Sequence, residues 1–142
     1  MRYLGGVKIC CLAVVFSLFA SACSQHVLRS PEASARAIMQ GLIERDFSVL
    51  ASRFSGEPLR ALMASGGAGG GQGFENFCRR LLPITPPPAL WTLKFTRAIQ
   101  HHDGSTVELH LCLVYEVNGV RRLFETKWRM QLIDGGWKLV AI

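Results

Sequence analysis

Charge is scarce in this chain. Charged residues make up 18% of its 142 positions, where a soluble domain carries about 25%. Acidic residues are the scarcer kind, ten against sixteen Lys and Arg. A disordered chain is built the other way, from much charge and few apolar residues, so the 49% apolar content excludes that class. The length excludes a barrel enzyme or a two-domain dehydrogenase. The run from Ile9 to Ala20 is apolar and uncharged, yet it falls short of the ~20 residues that span a bilayer comfortably. Six glycines crowd residues 65–73, but no Gly-Lys-Ser/Thr follows and no position satisfies Gly-x-Gly-x-x-Gly. Phosphate-loop and dinucleotide chemistry therefore have no sequence support, and a flexible loop is the expectation there. No cofactor motif and no catalytic motif stands out.

The net charge of +6 is spread thinly. Without Arg2 and Lys8 the balance is fourteen against ten, or +4, and only Arg79-Arg80 and Arg121-Arg122 are adjacent pairs. Nucleic-acid binders concentrate charge on one face with aromatics interleaved. The scatter reads instead as a solvated basic surface, with no nucleic-acid partner.

The first 22 residues read as a lipoprotein signal peptide. Arg2 and Lys8 form a positive opening, the apolar run follows, and Ala20-Ser21-Ala22-Cys23 closes it. Small residues before a cysteine resemble a bacterial lipobox, in which the Cys23 thiol is diacylated and becomes the mature N-terminus. Ala20 stands where that motif usually has Leu, and ordinary cleavage after Ala22 is the alternative, releasing a soluble periplasmic or secreted protein. Several acyl chains on one residue anchor a protein stably, so the expected partner of this end is the membrane. In Gram-negative lipoproteins an Asp after the cysteine favours the inner membrane. Ser24 takes that place here, which points to the outer membrane, facing the periplasm. Residues 23–30 are then a tether, and 31–142 the folded domain.

Ser30-Pro31 opens a helix, with Ser as N-cap and Pro at the first helical position. Its apolar positions are Ala35, Ile38, Met39 and Leu42. Asp46 is the N-cap of a second helix from Phe47 to Arg53, and Glu57-Pro58 starts a third with Leu59, Leu62 and Met63 inward. Phe74, Phe77, Cys78 and Leu81 recur at helical spacing, which turns Cys78 to the core. The proline-rich segment 83–88 ends that helix and forms an extended link. From Ala89 the period becomes two. Trp91, Leu93, Phe95 begin one strand, Val107 to Val117 a second, Phe124 to Leu132 a third, and Trp137 to Ile142 the last. Asn118-Gly119 and Asp134-Gly135-Gly136 are hairpin turns. The expected fold is α+β: N-terminal helices packed on one face of a four-stranded antiparallel meander.

This order resembles the nuclear transport factor 2-like (cystatin-like) superfamily, and within it small bacterial lipoproteins with a domain of unknown function. The carriers of the resemblance are the Arg45-Asp46-Phe47 junction and the ending Asp134-Gly135-Gly136-Trp137-Lys138-Leu139. It covers about residues 31–142. The Gly-rich loop at 65–73 and Pro86-Pro87-Pro88 depart from it. The resemblance implies a bent sheet curled around helices to leave a cone-shaped cavity. Members include enzymes, small-molecule binders and parts of protein assemblies, so fold alone does not choose a function.

Enzymes of that superfamily use a cavity Asp/His or Tyr/Asp pair as acid and base. His101, His102 and Asp103 fall in a turn, and His110 lies on the polar face beside Glu108 and Glu116, where a cross-strand partnership explains it. A metal site would need ligands the chain does not supply there. Tyr115 is the one polar group on the apolar face of its strand. Trp91, Phe95, Tyr115 and Trp128, with Phe124, either line an apolar cavity or fill it, and a small domain needs most such side chains in its core. The expectation is a non-catalytic envelope binding or assembly module, partnered by an envelope complex or a second copy. A carrier of a small apolar ligand and an unrecognised enzyme are the alternatives. Cys78 and Cys112 are expected to be free, because alternation sends Cys112 to the face away from the helices. A bulge near His110 would reverse that.

Overall fold

The computed structural model describes residues 30–67 and 71–142. The expected signal peptide, Cys23 and nearly all of the expected tether lie outside the described residues, as do positions 68–70 of the glycine run. Four helices precede four strands: α1 (Pro31–Glu44), α2 (Phe47–Arg53), α3 (Gly56–Ala64), α4 (Gln72–Leu81), β1 (Trp91–Gln100), β2 (Thr106–Val117), β3 (Val120–Ile133) and β4 (Gly136–Ala141). The strands form one antiparallel sheet in the order β1-β2-β3-β4. This is the α+β architecture expected from the change of period at Ala89.

Local chemistry sets the element ends. The Ser30 hydroxyl accepts from the Ala33 amide at 3.0 Å, and the Asp46 carboxylate accepts from the Val49 amide at 3.1 Å, each satisfying an otherwise orphaned donor at a helix start. Asn118 and Gly119 both take positive φ (51° and 75°), as do Asp134 and Gly135 (52° and 79°). These are two-residue turns whose twist matches the strands they join. Gly136 therefore belongs to β4 rather than to the turn, and that strand begins one residue earlier than its pattern indicates.

The core lies between the helices and one sheet face. Ile38, Leu42, Leu50, Leu62 and Cys78 from the helices meet Leu109, Leu113, Trp128, Met130 and Leu139 from the strands, and none of these ten has measurable exposure. Phe54, 1% exposed at the end of α2, packs its ring 6.0 Å from that of Phe77. Its backbone bridges to Leu139, and the Ser55 amide donates to the Leu139 carbonyl at 3.0 Å. That pairing covers part of the β4 edge, which would otherwise offer unpaired backbone groups. Buried Ser34 donates its hydroxyl to the Trp137 carbonyl at 2.6 Å and accepts from Arg53 at 3.2 Å, tying α1 to β4.

Several inward assignments change. Met63, expected inside α3, is 53% exposed, and Leu132, expected on the apolar face of β3, is 42% exposed. Both follow helical or strand periodicity, but each sits near the end of its element, where no opposing layer reaches. The expected loop at 65–73 is shorter than its composition indicates, because α4 starts at Gln72 and takes in Gly73. A β-carbon on Gly73 would stand 2.2 Å from the Ser65 carbonyl oxygen. Only glycine lets the start of α4 pass so close to the end of α3. The third helix likewise begins at Gly56, one residue before the Glu57-Pro58 start signal.

Candidate functional site

The four aromatic candidates do not converge. Trp91 pairs directly with Tyr115, and Phe95 with Leu111. All three are half-buried against the core. The Arg36 guanidinium lies 5.4 Å above the Phe95 ring and donates to the Leu93 carbonyl at 3.4 Å, which closes that ring from the helix side through a cation–π contact. Trp128 is fully buried and pairs with Leu109, six residues from Tyr115 along β2, or about 20 Å at the strand rise. Its indole N–H has no hydrogen-bond partner among the described residues. Trp128 is thus a core residue at one end of the sheet, and the Trp91–Tyr115 pair belongs to the other.

The polar candidates also stay apart. His101, His102 and Asp103 are exposed in the β1–β2 turn. Asp103 caps that turn, accepting from the Ser105 amide at 3.0 Å, and this bond first of all holds its carboxyl below the usual range. His110 bonds Glu108 on its own strand at 2.8 Å, with Lys127 opposite it on β3. That bond, more than burial or the neighbouring cations, lowers the Glu108 carboxyl. Among the described residues no group of three or more His, Cys, Asp or Glu could hold a metal ion, and no helix is long and apolar enough to cross a membrane.

Among the described residues Cys78 and Cys112 form no disulfide. A bulge does interrupt the sheet beside His110, but on β1, between Phe95 and Arg97. The β2–β3 register runs without a break from Thr106 to Val117, so alternation is preserved and Cys112 emerges on the face away from the helices. Burial pushes the Cys78 thiol up to about 11, far from the range of a reactive thiolate.

Two features were not readable beforehand. The sheet gathers Lys94, Arg97, Lys127, Arg129 and Lys138 on its uncovered face, interleaved with Glu108 and Glu125. The other is a cavity of about 400 Å³ where α3, α4 and the end of β4 meet, within the range of small-ligand pockets. Pro58 and Ala61 of α3, Phe77 and Leu81 of α4, and Val140 to Ile142 form its apolar walls, with Glu57 and Arg80 at its rim. It exists for two local reasons. Ala61 is a small residue on the inner side of α3, and β4 carries an extra residue at Val140, between partners Leu139 and Ala141, that bends the strand end. No motif marks it, because its walls come from segments about 80 residues apart that only the fold brings together.

No family model matches this chain, and no curated protein matches it. Among solved structures it is similar to the intermembrane space region of the chloroplast protein ARC6, with a TM-score of 0.48, 12% identity, and coverage of 80% of this chain and 92% of that one. It is also similar to an LEH-like epoxide hydrolase from M. tuberculosis, with a TM-score of 0.38, 14% identity, and coverage of 82% and 78%.

Proposed function

We propose that this chain is a cell-envelope lipoprotein of nuclear transport factor 2-like fold, anchored through acylated Cys23, whose folded domain binds without catalysing. The observation that carries the binding reading is the α3–α4–β4 cavity. Its walls are hydrocarbon, and the two charged side chains at its rim are a carboxylate and a guanidinium, which do not make an acid–base pair poised near neutral pH. An apolar cavity of about 400 Å³ with a few polar groups at its edge has the size and character of a small-ligand site. The anchoring reading rests on the positive opening, the short apolar run and Ala20-Ser21-Ala22-Cys23. The outer membrane is the proposed address on the strength of Ser24.

A carrier of a small apolar ligand is the second reading, and the cavity volume favours it over an assembly module that uses only its surface. The ligand would then sit beside β4 and not among Trp91, Phe95, Tyr115 and Trp128. Replacing Cys23→Ser tests the anchor: unprocessed precursor should accumulate and detergent-phase partitioning should be lost, since the acyl-accepting thiol is gone. Intact mass showing an unmodified mature chain beginning at Cys23 would overturn it.

A further inference from the structure

We infer that the α3–α4–β4 cavity takes a single-chain amphiphile with an anionic head, its hydrocarbon tail between the helices and β4 and its head at Arg80. The inference rests on reading the domain as a binding module, and names the ligand class.

Three observations select this occupant. The walls carry no side-chain hydrogen-bonding group, since Pro58, Ala61, Phe77, Leu81, Val140 and Ala141 are all hydrocarbon. Whatever fills the space must therefore be apolar over most of its length. Charge at the rim is not balanced. Glu57 is held by Arg60 at 2.7 Å, while Arg79 is engaged by Glu75 at 3.0 Å. Arg80 is exposed and forms no ion pair among the described residues. A guanidinium free at the mouth of an apolar slot is matched by a carboxylate or phosphate, which it can grip with two parallel hydrogen bonds.

The third observation removes the peptide alternative. Strand addition needs a free sheet edge, and Phe54 and Ser55 pair with β4 at Leu139, so that only Val140 and Ala141 of the strand remain beside the cavity, too short a stretch for a guest strand. A helix, about 10 Å across with its side chains, is too thick for a space of about 400 Å³.

The test is methyl NMR on the full chain in phosphatidylcholine nanodiscs, titrated with dodecanoate, dodecyl phosphate or dodecyltrimethylammonium. Saturable shifts of the Ala61, Ala141 and Ile142 methyls are expected with the two anions, while Ala98 on β1 stays still. The cation should bind at least about tenfold more weakly, the size of one charge-assisted contact. Arg80→Gln should weaken the anions by a similar factor and leave the cation unchanged. Ala61→Trp, which fills the slot from its rim, should abolish the Ala141 and Ile142 shifts while the thermal midpoint holds. Shifts in lysophosphatidylglycerol-doped nanodiscs without other added amphiphile would uphold the inference with a membrane lipid as the source, whereas shifts with diacyl phosphatidylglycerol alone would overturn the single-chain assignment. Equal binding of anion and cation, or shifts that survive Ala61→Trp, would overturn it. No shift with any probe, while the chain still partitions with membranes, would sink the ligand and leave the anchored lipoprotein standing. Shifts without partitioning would do the reverse.

Discussion

Lys127 and Trp128 are neighbours in the chain and opposites in environment. The pleat sends Lys127 to the uncovered face beside His110 and sends Trp128 into the core, where it is fully enclosed. Emptying a large aromatic site costs about 3–5 kcal/mol, so Trp128→Ala should lower stability by that amount and Lys127→Ala by under about 0.5 kcal/mol. Urea denaturation midpoints of the two variants measure the difference, and equal shifts would place Trp128 outside the core. The cysteines follow the same logic. Cys78 faces inward from α4 and Cys112 lies behind the sheet, whereas a disulfide needs β-carbons about 3.5–4.5 Å apart. Non-reducing peptide mapping, with thiols blocked at lysis, should recover each as its own alkylated peptide. A linked Cys78–Cys112 peptide would mean that β2 presents its opposite side.

Among the elements, α4 depends on two contacts with the rest of the helical layer. At its start Gly73 passes the Ser65 carbonyl so closely that Gly73→Ala must push α3 and α4 apart. The expected loss is about 1–3 kcal/mol, the usual range for overpacking, and a thermal midpoint at or above that of the parent would refute it. Also in its first turn, Glu75 joins α4 to the end of α1. Arg45, itself in the left-handed region at φ 58°, donates to both Glu75 oxygens at 2.8 and 3.0 Å and also to the Leu42 carbonyl. The Arg45 bond, before any other influence, holds the Glu75 carboxyl below its ordinary range. A carboxyl lowered on folding stabilises the protein above its unfolded value of about 4.3 and ceases to as pH falls through the folded value. Glu75→Gln should therefore be less stable than the parent at pH 7, and the gap should close toward pH 3. A gap of constant size across that interval would show that the ion pair is not its source.

For the whole molecule, the helix and strand order was legible because each segment carries its own period and its own end signals. Ser30-Pro31, Asp46 and Asn118-Gly119 act through bonds and dihedrals within a few residues, and the structure places all three as helix starts and turn. Periodicity was a poorer guide at element ends. Met63 and Leu132 keep the spacing of buried residues, but burial requires an opposing surface, and their own segments hold no information about where that surface stops. The candidate aromatics failed to converge for a related reason. Trp91, Tyr115 and Trp128 share a face by parity, yet parity does not measure distance along a twelve-residue strand.

The sequence by itself determined the α+β order, the capped helices, the tight hairpins and the outward side of Cys112, since all of these depend on interactions between near neighbours. The anchoring proposed at Cys23 rests likewise on a linear string, Ala20-Ser21-Ala22-Cys23 behind a short apolar run. Tertiary structure alone decided the rest. The cations at 94, 97, 127, 129 and 138 look scattered in the chain and share one sheet face, because antiparallel pairing folds a 45-residue stretch onto itself at about 4.8 Å spacing. The cavity beside Arg80 is likewise set by how far two helices and a bulged strand end fail to close on one another, a shortfall in packing that no single segment encodes.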